Sequence, residues 1–170
     1  MTVDGELADL YAIQQLKARY FRYIDTKQWD LLRGLFTDDA VFYFFDDSDF
    51  HAESTGAPAR ATREFSGGDK FVRRVSKILE TAVTVHHGHM PEIELTGTGE
   101  ATGIWAMYDW VDDFEKGYAT KGAGHYHERY LKGDDGCWRI SELRLTRLRT
   151  DLLDPTTPSG PRHWPAVWNP

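Results

Sequence analysis

The sequence has a single cysteine, Cys137, among 170 residues, so no internal disulfide can form. A chain of this length buries roughly 70% of its unfolded surface and folds without such a staple. One unpaired thiol suits a reducing cytoplasm. No apolar run approaches the roughly 20 residues that a membrane-spanning helix needs. The first six residues are acidic and lack an apolar stretch, so they do not read as a secretion signal. Positive charge is short as well: 20 Lys and Arg face 27 Asp and Glu, a formal charge of −7. That argues against a nucleic-acid binder, whose surface must displace phosphate counterions. There is no Gly-x-Ser-x-Gly and no dinucleotide glycine fingerprint, which argues against a serine hydrolase or a nicotinamide enzyme. The expectation is one cytoplasmic domain with no nucleic-acid or membrane partner.

What the sequence does have is aromatic side chains, 14% of the total, with six Trp, eight Tyr and nine Phe. They can fill a dense core or line a cavity, and composition does not separate the two. Leu10, Ile13, Leu16, Lys17, Tyr20 and Ile24 recur at three- and four-residue steps and predict a helix over 7–25. A short helix over 28–36, a turn at Thr37-Asp38-Asp39 and a strand from Ala40 to Phe45 follow. Residues 46–68 read as a long loop with at most one short strand. A third helix spans 69–79, with Asp69 as its N-cap. Four strands are expected at 82–95, 99–113, 120–132 and 137–149, joined by glycine-containing hairpin turns. Helices first and consecutive strands after give an α+β layout. Five of the seven prolines, with Trp164 and Trp168, fall beyond Asp154, so the domain is expected to cover 1–153 and an extended arm 154–170.

Three segments carry candidate chemistry: Tyr20 to Asp25, His86-His87-Gly88-His89, and His125-Tyr126-His127. His87-x-His89 and His125-x-His127 each put two imidazoles on one strand face, a pattern open to zinc or iron. The alternative needs no metal. A histidine ordinarily titrates near pH ~6.5 and can move protons at neutral pH, while a carboxylate on its other ring nitrogen fixes the tautomer. Asp25 and His86 suit those roles if helix and strand meet; Asp25 equally suits a helix-end cap.

The run Ile13 to Asp25 with Trp29-Asp30, the segment Val85-His86-His87-Gly88-His89-Met90-Pro91-Glu92-Ile93, Ala101-Thr102-Gly103-x-Trp105 and Asp135-Gly136-x-Trp138-x-Ile140 resemble the SnoaL-like superfamily. Within it they are most similar to the bacterial bile-acid 7α-dehydratases, over roughly residues 10–150; scytalone dehydratase is a further likeness. The resemblance implies a cone-shaped α+β fold, a curved mixed or antiparallel sheet wrapped around N-terminal helices. It places catalytic roles on Tyr20, Asp25, His86 and Asp109 and a strand arginine on Arg147. A pocket tyrosine of the dehydratases is matched here by Phe44. Substrate-binding candidates are Phe44, Trp105, Met107, His125, Tyr126 and Arg147.

The implied function is a lyase without cofactor or metal. It would remove water from a hydroxylated, hydrophobic polycyclic compound, steroid-like or polyketide-like. His86 would take a proton from carbon, Asp25 would polarise it, and Tyr20 would donate to the developing oxyanion. An isomerase or polyketide cyclase on the same scaffold is the alternative, and so is a non-catalytic protein that binds a small hydrophobic ligand. A homo-oligomer is expected, a trimer ahead of a dimer.

Overall fold

The computed structural model describes residues 3–44 and 63–153. Most of the expected 46–68 loop and the whole 154–170 arm lie outside the described residues. Helix α1 (Val3–Asp25) buries Ile13, Leu16, Lys17, Tyr20 and Ile24, which is the stripe its sequence spacing predicts. Helix α2 (Trp29–Arg33) is shorter than expected. Strand β1 (Phe36–Phe44) then begins directly. Thr37, Asp38 and Asp39 are therefore part of a strand and not a turn. Their polarity is accommodated because pairing slips between Phe36 and Val41, where the ladder to the last strand is irregular.

Strand β2 (Arg63–Ser66) pairs antiparallel with β1 and leads into helix α3 (Gly68–Ile78). Asp69 does not cap that helix. The cap position is Gly67, at a φ of 105° that favours glycine, and Asp69 instead accepts a 2.7 Å hydrogen bond from Arg33 Nε. Arg33 also reaches Asp38 and the Phe36 carbonyl, so one guanidinium ties α2, β1 and α3 together.

Strands β3 (Val83–Gly97), β4 (Glu100–Asp113), β5 (Tyr118–Lys132) and β6 (Trp138–Leu153) form the expected antiparallel meander. Gly99, Gly117 and Gly136 supply positive φ in its three connections. The sheet order is β2-β1-β6-β5-β4-β3, with β1 parallel to β6 and every other pair antiparallel. This is an open, mixed six-stranded sheet packed by N-terminal helices. Alternation along β4 buries Ala101, Gly103, Trp105, Met107 and Asp109 on the helix-facing side. Each fully buried aliphatic or phenyl side chain there contributes about 1.5–3 kcal/mol. No helix among the described residues is long and apolar enough to cross a membrane.

Candidate active site

Helix α1 ends in a Schellman turn: the Gln28 amide donates to the Tyr23 carbonyl and the Lys27 amide to that of Ile24. The left-handed position of the motif, usually glycine, is Lys27 at φ 59°. Asp25 is thus the last helical residue, where the helix dipole disfavours a carboxylate. It is not a cap; its partners come from β3. His86 N–H donates to Oδ2 at 2.9 Å, His86 Nδ1 lies 2.6 Å from Oδ1, and Thr84 Oγ1 donates to Oδ1 at 2.9 Å. A carboxylate only accepts, so Nδ1 carries a proton, and in the neutral imidazole Nε2 has the lone pair. The Lys27 ammonium donates to Thr84 Oγ1 at 3.2 Å and completes a chain behind the dyad.

Close approach of α1 to β3 depends on Gly88. A Cβ there would stand 2.5 Å from the Phe21 ring, so only glycine lets the helix lie this near the strand and bring Asp25 to His86. Asp109 of β4 sits directly opposite His86 in the ladder, on the same face. Arg147 of β6 donates to it in bidentate fashion, Nη1 to Oδ1 and Nη2 to Oδ2, each at 2.7 Å. The guanidinium passes over Gly122 of β5, where a Cβ would fall 1.6 Å from Nη1. Any side chain at 122 displaces the pair.

Tyr20 and Tyr126 lie edge to face with centroids 5.9 Å apart, and their hydroxyls are hydrogen-bonded. Burial pushes both phenols up, and the Asp109 charge adds to the effect. Trp105 and Met107 are buried on the same strand face as Asp109, with the Trp105 indole N–H donating to Tyr130 at 2.8 Å. Tyr20, Asp25, His86, Asp109, Arg147, Trp105, Met107 and Tyr126 thus share the helix-facing side of the sheet. Phe44 pairs in β1 with Leu145 of β6; its side chain lies outside what is described.

His125 requires a correction. It neighbours Tyr126 in sequence, and side chains alternate along a strand, so it points to the opposite face and cannot line the same site. His127 shares that outer face, near Thr146 Oγ1 at 3.2 Å. His87 and His89 are exposed on the outer face of β3. Among the described residues, no group of three His, Cys, Asp or Glu is arranged to hold a metal ion.

Thr84, Lys27 and Gly122 were not singled out by the sequence. Thr84 shares the parity of His86, two residues away, which is a readable signal. The left-handed Lys27 and the crossing of Arg147 over Gly122 are visible only once the strands are paired.

Comparison with known proteins agrees with this fold. The probable cyclase FGR4 of Gibberella zeae is 30% identical over 158 residues, covering 90% of this chain and 99% of that one. The putative scytalone dehydratase of Novosphingobium aromaticivorans superposes with a TM-score of 0.73 at 18% identity, covering 88% of this chain and 91% of that one. The hexachlorocyclohexane dehydrochlorinase LinA-type3 of Novosphingobium barchaimii gives a TM-score of 0.71 at 19% identity, over 89% and 94%. At such identities the two structures show a shared fold. Residues 5–144 match the SnoaL-like domain, and the chain belongs to that family.

Proposed function

We propose that the chain is a cofactor-independent lyase that removes water from a hydroxylated polycyclic substrate, steroid-like or polyketide-like. The observation that carries this reading is the Asp25–His86 pair, set opposite the Asp109–Arg147 pair on one sheet face. With Nδ1 committed to Asp25, Nε2 of His86 takes the proton from the carbon beside a carbonyl. The electron pair moves onto the carbonyl oxygen, where one hydroxyl of the hydrogen-bonded Tyr20–Tyr126 pair donates to the enolate. Collapse of the enolate forms the carbon–carbon double bond and breaks the carbon–oxygen bond. The departing hydroxyl, held by Asp109 and Arg147, leaves as water with the proton taken by His86. Asp25 holds the imidazolium in the interval. The likeness of the α1 and β3 motifs to bile-acid dehydratases supports a steroid-like substrate.

Cyclisation is a second reading, favoured by the fungal relative's description as a probable cyclase. Its first step is the same proton abstraction, after which the carbanion attacks a second carbonyl of a poly-ketone chain.

A screen of 3-oxo hydroxysteroids, monitored by conjugated-enone absorbance, tests the proposal. Turnover is expected to fall by about 10²–10⁴-fold in His86→Ala and in Asp25→Asn, with both variants folded. Retained activity in both variants would sink the acid–base reading. Ring closure of a poly-ketone without enone formation would select the cyclase.

A further inference from the structure

Two turns before Asp25 on α1, Lys17 forms a second buried pair of charges with Glu128 of β5. Lys17 Nζ donates to Glu128 Oε1 at 2.5 Å, and neither side chain is accessible to solvent. Glu128 Oε2 accepts from the Tyr130 hydroxyl at 2.5 Å, and that hydroxyl accepts from Trp105 Nε1 at 2.8 Å. The ammonium also lies 3.6 Å from the centre of the Tyr126 ring, 4.2 Å from that of Tyr20 and 4.8 Å from that of Phe21.

Stability alone does not account for this arrangement. Well-packed hydrocarbon in place of a buried ion pair is often neutral or stabilising. Lys17 also occupies a stripe of α1 that is otherwise apolar, so a leucine there would continue the pattern. What a leucine could not supply is a cation against the faces of the two phenols that the Asp109 charge acts on.

We propose that Lys17 and Glu128 are positioning residues: the ammonium, clamped by Glu128 and three ring faces, fixes the Tyr20–Tyr126 hydroxyl pair and strengthens it as a donor. This inference rests on the acid–base reaction proposed above, in which that pair faces the enolate oxygen. The charges balance in a specific way. The Glu128 carboxylate raises both phenols, while the ammonium it holds stands against both ring faces. Burial brings the Lys17 amine down to about 8, with Glu128 opposing the shift. The cation is therefore present at neutral pH and lost in mild alkali. Its titratable and charged neighbours are Tyr20 on α1 and Tyr126, Glu128 and Tyr130 on β5; Asp109 of β4 acts on both phenols and Arg147 of β6 on Tyr126. All three tyrosines are pushed up by burial and stay protonated through the range in which Lys17 titrates.

The test is an NMR titration of ¹³C-tyrosine-labelled protein from about pH 6 to about pH 10, a range spanning the lysine change and ending near the free phenol value. Tyr20 and Tyr126 ring carbons are expected to shift together with a midpoint near pH 8 in the wild type. The double variant Lys17→Met/Glu128→Leu removes both charges and should lose that inflection. Its kcat in the enone assay should fall about 10–100-fold with KM little changed. Lys17→Arg carries a cation that does not titrate; it should lose the inflection while keeping turnover at neutral pH. Flat tyrosine signals in the wild type overturn the proposal, as does a folded double variant with wild-type kcat. His86→Ala separates the two claims. It should lose turnover and keep the inflection, whereas turnover retained in His86→Ala counts against the acid–base reading alone.

Discussion

Two aromatic clusters share the helix-facing side of the sheet, and they differ in what is buried with them. Under α3, the rings of Phe36, Phe42, Phe65 and Phe71 pack against one another, Phe42 stacked on Phe71 at 4.1 Å. Nothing in that cluster titrates. Around α1, Tyr20, Phe21 and Tyr126 surround an ammonium and neighbour the Asp109 and Glu128 carboxylates. Tyr20 and Phe36 touch edge to face at 6.2 Å, so one core is continuous across both regions. The phenyl cluster is the dense core that the high aromatic content allowed. The tyrosine cluster buries charged groups whose desolvation costs stability, where hydrocarbon would not. The 14% aromatic content therefore answers two different demands.

The comparison breaks if the two clusters respond alike to perturbation. The largest stability effect is expected at Phe42→Ala, a loss of about 3–5 kcal/mol in urea melts, because the lost ring leaves a cavity against Phe71 that cannot fully collapse. Turnover of the folded fraction should stay at the wild-type level; a fall in kcat would merge the clusters into one functional unit.

Next comes pH. Tyr20, Tyr126 and Tyr130 are raised by burial, so the unfolded chain releases their protons near pH ~10 while the folded chain retains them. Their contribution is whole below that pH and is lost as pH climbs toward the folded values. Lys17 acts in the opposite sense. Its lowered value of about 8 means that the unfolded chain holds the extra proton, so stability gains between there and the free lysine value of ~10.4. Urea midpoints should hold or rise slightly up to about pH 10 and then drop steeply. Midpoints that stay level beyond that point would contradict the burial of the three phenols.

The smallest effect expected is at Thr84→Val. It removes one hydrogen bond to Asp25 at nearly constant shape, for about 1 kcal/mol. Loosening the carboxylate that orients His86 should cost about tenfold in kcat, and an unchanged kcat would make Thr84 purely structural.

Local pattern carried the meander well, because its four strands are long and meet through glycine turns. It also carried α1, whose buried stripe keeps helical spacing throughout and is apolar apart from Lys17. It failed where a distant contact decides. Thr37-Asp38-Asp39 looks like a turn until β6 is laid beside it, and that pairing joins residues about a hundred positions apart. Asp69 has the chemistry of a cap, yet Arg33 takes its carboxylate. Alternation could have separated His125 from Tyr126, since adjacent strand residues cannot face one site. It could also have flagged Glu128, an acid at an inward position that matches the lysine in the stripe of α1. His86, His87 and His89 look alike in sequence; the ladder to Asp109 and the approach of α1 at Gly88 distinguish the first from the others.

The position of α1 has a consequence for how the protein comes into being. The meander can zip up through neighbouring hairpins, each closing a short loop. Asp25 and His86 are 61 residues apart in sequence, and Lys17 and Glu128 are 111 apart. Ordering a separation of that size delays contact formation. The helix bearing Tyr20 and Asp25 is synthesised first, yet it reaches its strand partners only after nearly all of the sheet has followed. The Asp25–His86 and Lys17–Glu128 pairs are thus late products of folding, and a half-folded chain holds neither.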